Sequence, residues 1–188
     1  QIYATTATEI SEGERVDNVD NAAIIDSLFA TVNSAGTYSG ELKLEFPSTV
    51  PANSTAYIKV DDLGKGDLDF LLGGSLGDLL ADAGGTATIG DHYVQVSALD
   101  SIGEVVAVGD TNNLFNDPQL FNAVPLKVVK NKDGDLFITI TPTVAYNAIV
   151  IKDITETLAP ISAANFTNVY YAFYLDPTDT SCNSEEIF

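Results

Sequence analysis

Between Gly40 and Phe46 the chain alternates without a break, and this constrains the fold more than any other feature. Leu42, Leu44 and Phe46 fall on one side, with Glu41, Lys43 and Glu45 on the other. That is the period of a strand with one buried and one wet face; a helix would scatter the same residues around its circumference. Pro47 and Pro51 cannot donate to a ladder, so the strand is expected to stop before them. The pattern returns at Thr55–Val60 with Ala56, Ile58 and Val60, and at His92–Ala98 with Val94 and Val96. His92–Ala98 and Glu104–Val108 are separated by Leu-Asp-Ser-Ile-Gly, a hairpin-length connection. Leu126–Val129 and Leu136–Ile140 flank Asn131–Asp135, whose Asp133-Gly134 is a strong hairpin signal. Asn147–Lys152 and Asn168–Leu175 complete the set.

Strands at these spacings, broken by Gly, Pro, Asn and Asp, predict an all-β fold, an antiparallel β-sandwich of jelly-roll-like character. Alternation along Asn168–Leu175 separates Val169, Tyr171 and Phe173 from Tyr170, Ala172 and Tyr174. Large groups on both sides predict a central strand. The expected core is Leu42, Leu44, Phe46, Ile58, Val60, Val94, Val96, Ile138, Ile140, Val169, Tyr171 and Phe173. One stretch departs from the theme. Leu72, Leu76, Leu79 and Leu80 are near helical spacing, while Gly73, Gly74 and Gly77 weaken a helix, so short helical turns are expected near 67–82. The sandwich is expected over 1–175. Residues 176–188, rich in turn formers and carrying the lone Cys182, are expected to be a linker or tail.

With 45% hydrophobic residues in 188, the chain can bury a sizeable core. Its 27 acidic residues against 8 basic ones give a formal charge of −19. Such a field repels nucleic acid and anionic membranes and attracts divalent cations. No apolar run approaches the roughly 20 residues needed to span a bilayer. A single cysteine excludes an internal disulfide framework. Gln1 suggests a mature N-terminus left by processing, and abundant Thr, Asn, Gly and Asp suit an exported protein.

At this point the segments together resemble a known family. They are Tyr3–Thr8, Asn21-Ala22 with Asp26 and Phe29–Thr31, Glu41–Phe46, Leu71–Gly77, Gly90–Tyr93, Asn168–Tyr174 and Cys182. Their order resembles the β-sandwich modules repeated in very large cell-surface proteins of Bacteroidetes, including gliding-motility adhesins. The family often carries an "NAxDG" stretch near its start; this chain has Asn21-Ala-Ala-Ile-Ile-Asp26 instead, without the glycine. The resemblance implies export by the type IX route and a place at the cell surface in an adhesin or filament. Its partners would be neighbouring domains or subunits of the same surface protein. Asp26-Ser27-Leu28 and Asp100-Ser101-Ile102 also look like the O-glycosylation acceptors of that phylum.

Catalytic constellations are hard to assemble. His92 is the only histidine, and no G-x-S-x-G elbow accompanies it, so a nucleophile–base pair is not expected. Cys182 in a polar tail is a poor place for a catalytic thiolate. Glu41 and Glu45 share one side of one strand, whereas a glycosidase needs carboxylates opposed across a cleft. No enzyme activity is therefore expected. No cofactor is expected; were a metal to bind, calcium is the one the sequence admits, because hard cations take six to eight oxygens. Asp61, Asp62, Asp67 and Asp69 around Gly64 and Gly66 form one candidate set; Asn131, Asp133 and Asp135 form the other. Glycans are the alternative partner. A sugar platform needs exposed aromatic planes, and with no Trp it would fall to Tyr38, Tyr57, Tyr93 and Tyr146 outside the terminal strands.

Overall fold

The computed structural model describes residues 1–9, 14–16, 23–28, 31–32, 36–61, 89–110, 122–157, 161–162 and 165–175. Their strands are β1 (Ile2–Tyr3), β2 (Thr6–Glu9), β3 (Glu14–Val16), β4 (Ala23–Leu28), β5 (Thr31–Val32), β6 (Gly36–Val50) and β7 (Ala56–Asp61). The series continues with β8 (Ile89–Leu99), β9 (Val105–Asp110), β10 (Lys127–Lys130), β11 (Leu136–Ile140), β12 (Tyr146–Thr157), β13 (Ile161–Ser162) and β14 (Asn165–Tyr174). No helix occurs among the described residues, and the expected helical turns near 67–82 lie outside them.

The protein is an all-β sandwich. One sheet, here sheet A, runs β10-β11-β7-β14-β4-β3, with β1 also on β14; sheet B runs β2-β6-β12-β8-β9. The expected central place of the aromatic strand is found, since β14 lies between β7 and β4. The inward sides of the sheets meet as expected. Leu42, Leu44, Phe46, Ile58, Val60, Val94, Val96, Ile138, Ile140 and Val169 form one buried cluster with Ile149, Ile151 and Tyr146.

Two expectations are corrected, both by bulges. Tyr171 and Phe173 do not face the core. Val169 pairs with Val60 but Tyr171 pairs with Lys59, so Tyr170 is an extra residue in the ladder. One inserted residue reverses the alternation beyond it. Ala172 and Tyr174 therefore join Val169 in the core cluster, and Tyr171 and Phe173 turn outward. The strand also does not end at Pro47. β6 continues to Val50 because its register with β12 slips between Glu45↔Ala148 and Val50↔Tyr146, and Pro47 falls inside that irregularity. A missing N–H costs least where the ladder is already interrupted.

The N-terminal arm and the β9 edge are tied down. The N-terminal arm crosses between sheets, with Ala4 N–H donating to Ala172 O and Thr5 N–H to Glu45 O, both at 2.9 Å. Ile2 pairs with Tyr174, so residues 1 and 175 neighbour each other at one end of the sandwich. Residues 122–124 line the β9 edge through Val124 N–H to Val108 O at 2.9 Å. The backbones approach so closely that a Cβ on Gly109 would sit 2.4 Å from Val124 O, which restricts the position to glycine.

Candidate functional site

Among the described residues, the main chemistry-bearing side chains fall into three groups: an aromatic layer outside sheet A, a buried polar cluster inside the sandwich, and the two calcium candidates.

The aromatic layer follows from the bulge. Phe173 pairs with Tyr57 on one side and Tyr3 on the other, and Phe137 lies opposite Lys59. Residues opposed in an antiparallel ladder share a face. Tyr57 stacks on Phe173 with centroids 5.1 Å apart and planes 10° apart. Tyr3 packs against both Tyr171 and Phe173 at 5.6 Å, and Phe137 meets Phe173 edge-on at 5.9 Å. Lys59 sits over the rings of Tyr170 and Tyr171 at 5.2 and 5.8 Å. As a result Phe137 and Phe173 are nearly as buried as the inner core although they point away from it. Burial pushes the Tyr57 and Tyr171 hydroxyls up from the ordinary phenol value.

The buried polar cluster continues the inward side of β12. Beyond Ile149 and Ile151 that alternation reaches Asp153 and Thr155, both fully buried. Thr167 on β14 donates its hydroxyl to Asp153 Oδ2 at 2.5 Å, joining the two sheets. At the other end of the core Tyr146 and Tyr174 pack edge-on against Phe46, with centroids 6.0 and 5.4 Å away. The Tyr146 hydroxyl donates to Ser54 O at 3.2 Å, and burial raises its pKa strongly.

The calcium candidates separate clearly. At the Asn131–Asp135 turn, Asn131 Oδ1 accepts the N–H groups of Asp133 and Asp135 at 3.0 and 2.8 Å. Asp135 Oδ2 accepts from Asn131 Nδ2 at 3.0 Å, and its Oδ1 pairs with Lys59 Nζ at 2.9 Å. Gly134 takes φ +94°, which closes the turn as its sequence foretold. Lys59 first, then Asn131, hold the Asp135 carboxyl below the usual carboxylate range, while Asp135 raises the Lys59 pKa. Of the second set, Asp61 ends β7; Asp62, Asp67 and Asp69 lie outside the described residues, as does Cys182. Among the described residues no group of three or more His, Cys, Asp or Glu could hold a metal.

The remaining candidates are dispersed. Glu41 pairs with Lys152, and Glu45 with Lys43 at 2.5 Å. His92 lies in β8 with Thr155 as its register partner. Asp26-Ser27-Leu28 lies within β4, whereas Ser101 and Ile102 are exposed at the β8–β9 hairpin. That hairpin is fixed by Asp100 Oδ1, which accepts the N–H groups of Ile102 and Glu104 at 2.9 Å each. The four tyrosines considered for a platform do not form one. Tyr146 is fully buried and Tyr57 lies face to face with Phe173. Tyr38 pairs with Thr155 and Tyr93 with Ile154, adjacent positions on opposite sides of the sheet.

No protein-family model matches the chain, and neither does any curated protein or solved structure. Among the described residues no helix is long and apolar enough to cross a membrane.

Proposed function

We propose that the chain is a non-enzymatic structural and adhesive module of a larger extracellular surface protein, whose partners are neighbouring domains or subunits. One observation supports this most. The aromatic rings that a ligand-binding sandwich would present are packed against one another across β1, β7, β11 and β14. Rings packed face and edge against one another have less free face on which a pyranose could stack. The same contacts clamp the N-terminal strand to the central strand, as a unit under mechanical load requires. The cell-surface location, type IX export and gliding-motility context rest on the sequence resemblance alone.

The reading is tested by incubating the protein with polysaccharide and ester substrates and by screening it on a glycan array. No turnover and no saturable glycan binding is the expected outcome. Saturable binding lost on Tyr3→Ala or Tyr57→Ala would transfer the function to carbohydrate recognition. Turnover abolished by a single Glu, Asp or His substitution would replace the module with an enzyme.

A further inference from the structure

Sheet A ends on two short strands. Among the described residues each has a neighbour on one side only, β10 beside β11 and β3 beside β4. An open edge presents backbone N–H and C=O groups to any strand that can pair with it. The two edges differ in their order of charges: β10 reads Lys127-Val-Val-Lys130 and β3 reads Glu14-Arg-Val16. Antiparallel pairing of β10 with a second β10 sets Lys127 opposite Lys130 at both ends. Pairing of β3 with a second β3 sets Arg15 opposite Arg15. Like charges directly opposite are unfavourable, so each edge resists its own kind.

Each edge fits the other. Neighbours across the six strands from β10 to β3 are all antiparallel, so these two edge strands run in opposite directions. A second copy shifted sideways along the sheet, without turning over, therefore brings its β3 antiparallel to β10. Sidedness agrees as well. Val128 packs against the inner core, and Val16 stands opposite Ala23, which packs there too. Matching Val128 with Val16 keeps the inner sides together, because opposed positions share a face. The same register sets Lys130, which is exposed, opposite Glu14.

We propose that sheet A continues from one copy of this chain into the next through β10 and β3, with Lys130 and Glu14 as the opposed pair that selects the register. The interface rests on the module reading above, whose partner subunit becomes a second copy. It is heterologous, so it leaves one edge of each kind open and extends instead of closing as a dimer. A four-residue edge offers few hydrogen bonds, and copies of charge −19 repel one another. Assembly therefore needs high concentration and screening salt, which confines the repulsion to about 8 Å at about 0.15 M.

The test is sedimentation velocity of the whole 188-residue chain, from micromolar to millimolar concentration, in about 0.15 M salt. Species beyond the dimer should appear as concentration rises. Glu14→Lys and Lys130→Glu should each weaken association about tenfold, since each puts like charges opposite one another. The double swap, or a mixture of the two single variants, should restore it. Lys132→Glu, the same charge change in the adjoining turn, should leave association unchanged. If a single variant fails to fold, Glu14→Gln and Lys130→Gln serve instead, each with a smaller weakening. A chain monomeric at millimolar concentration, a closed dimer, equal weakening by Lys132→Glu, or a double swap no better than its single variants would each overturn the proposal. None of these results would touch the module reading, which the glycan and turnover screens decide.

Discussion

The two outer faces of the sandwich are built from opposite materials. On sheet B, Lys43 with Glu45 and Lys152 with Glu41 form two partly exposed ion pairs. On sheet A, the corresponding surface is an aromatic layer in which Phe137 and Phe173 are 2% and 1% exposed. The sheet B face is held by contacts that water and salt weaken. On the sheet A face Phe137 and Phe173 are shielded from water, as in a second small core, among tyrosines that stay partly exposed. The difference teaches that "outward" in a sandwich is a direction and does not by itself mean solvated.

Inserting one alanine between Tyr171 and Ala172 gives the sharpest way to break the comparison. With the bulge at Tyr170 kept, the alternation beyond the insertion reverses, driving Phe173 inward and Ala172 and Tyr174 out. The expected result is loss of the cooperative thermal transition and of the near-ultraviolet circular dichroism signal. An insertion variant melting like wild type would show that the register of β14 does not decide the faces.

Phe173→Ala comes next. Despite pointing away from the main core it should cost about 3–5 kcal/mol, the range for truncating a buried aromatic residue. A loss under ~1 kcal/mol in urea denaturation would reduce the aromatic layer to surface decoration. Tyr146→Phe, at the aromatic end of the inner core, should cost about 1 kcal/mol by removing the donor to Ser54 O.

Smaller still is the Lys59–Asp135 pair, which edges the aromatic layer. Asp135 has a lowered pKa, so its contribution is present above its unfolded value and fades as pH falls through the folded one. Lys59 has a raised pKa, so its contribution is present below the unfolded value and fades as pH rises through the folded one. The pair should add a plateau of about 0.2–1 kcal/mol between those limits, given its partial exposure. Asp135→Asn should remove the plateau in a pH series of denaturation midpoints. Lys152→Ala on the sheet B face should change stability least, by ~0.5 kcal/mol or less, and 1 M salt should erase even that. A salt-resistant loss would mean that this face is less solvated than its ion pairs suggest.

Much of this architecture was legible in single segments. Leu42, Leu44 and Phe46 reached the core and Glu41, Lys43 and Glu45 the wet face, because alternation on a regular strand fixes the side on which each residue stands. Asp133-Gly134 announced its turn, because only a residue free to take positive φ closes it. The aromatic layer was hidden. Nothing in Val169-Tyr-Tyr-Ala-Phe marks which residue will be the extra one, since that depends on how β7 aligns against β14. The continuation of β6 through Pro47 was hidden for the same reason, as the irregularity belongs to its pairing with β12.

The sites divide along the same line. Sequence located two clusters of oxygen-bearing side chains but could not rank them, because composition does not say whether an oxygen already has a donor. Tertiary structure filled the oxygens of Asn131 and Asp135 with Lys59 from another strand and with backbone N–H groups of the turn. It also brought Asp153 inside the sandwich to meet Thr167, and left Asn168 Oδ1 buried without a hydrogen-bond partner. Period and turn chemistry are local properties of the chain, so the sequence alone determined the all-β class, the strands β6 to β12 and β14, and most inward faces. Register, bulges and hydrogen-bond satisfaction are properties of pairs of distant segments, and only the folded molecule decided them.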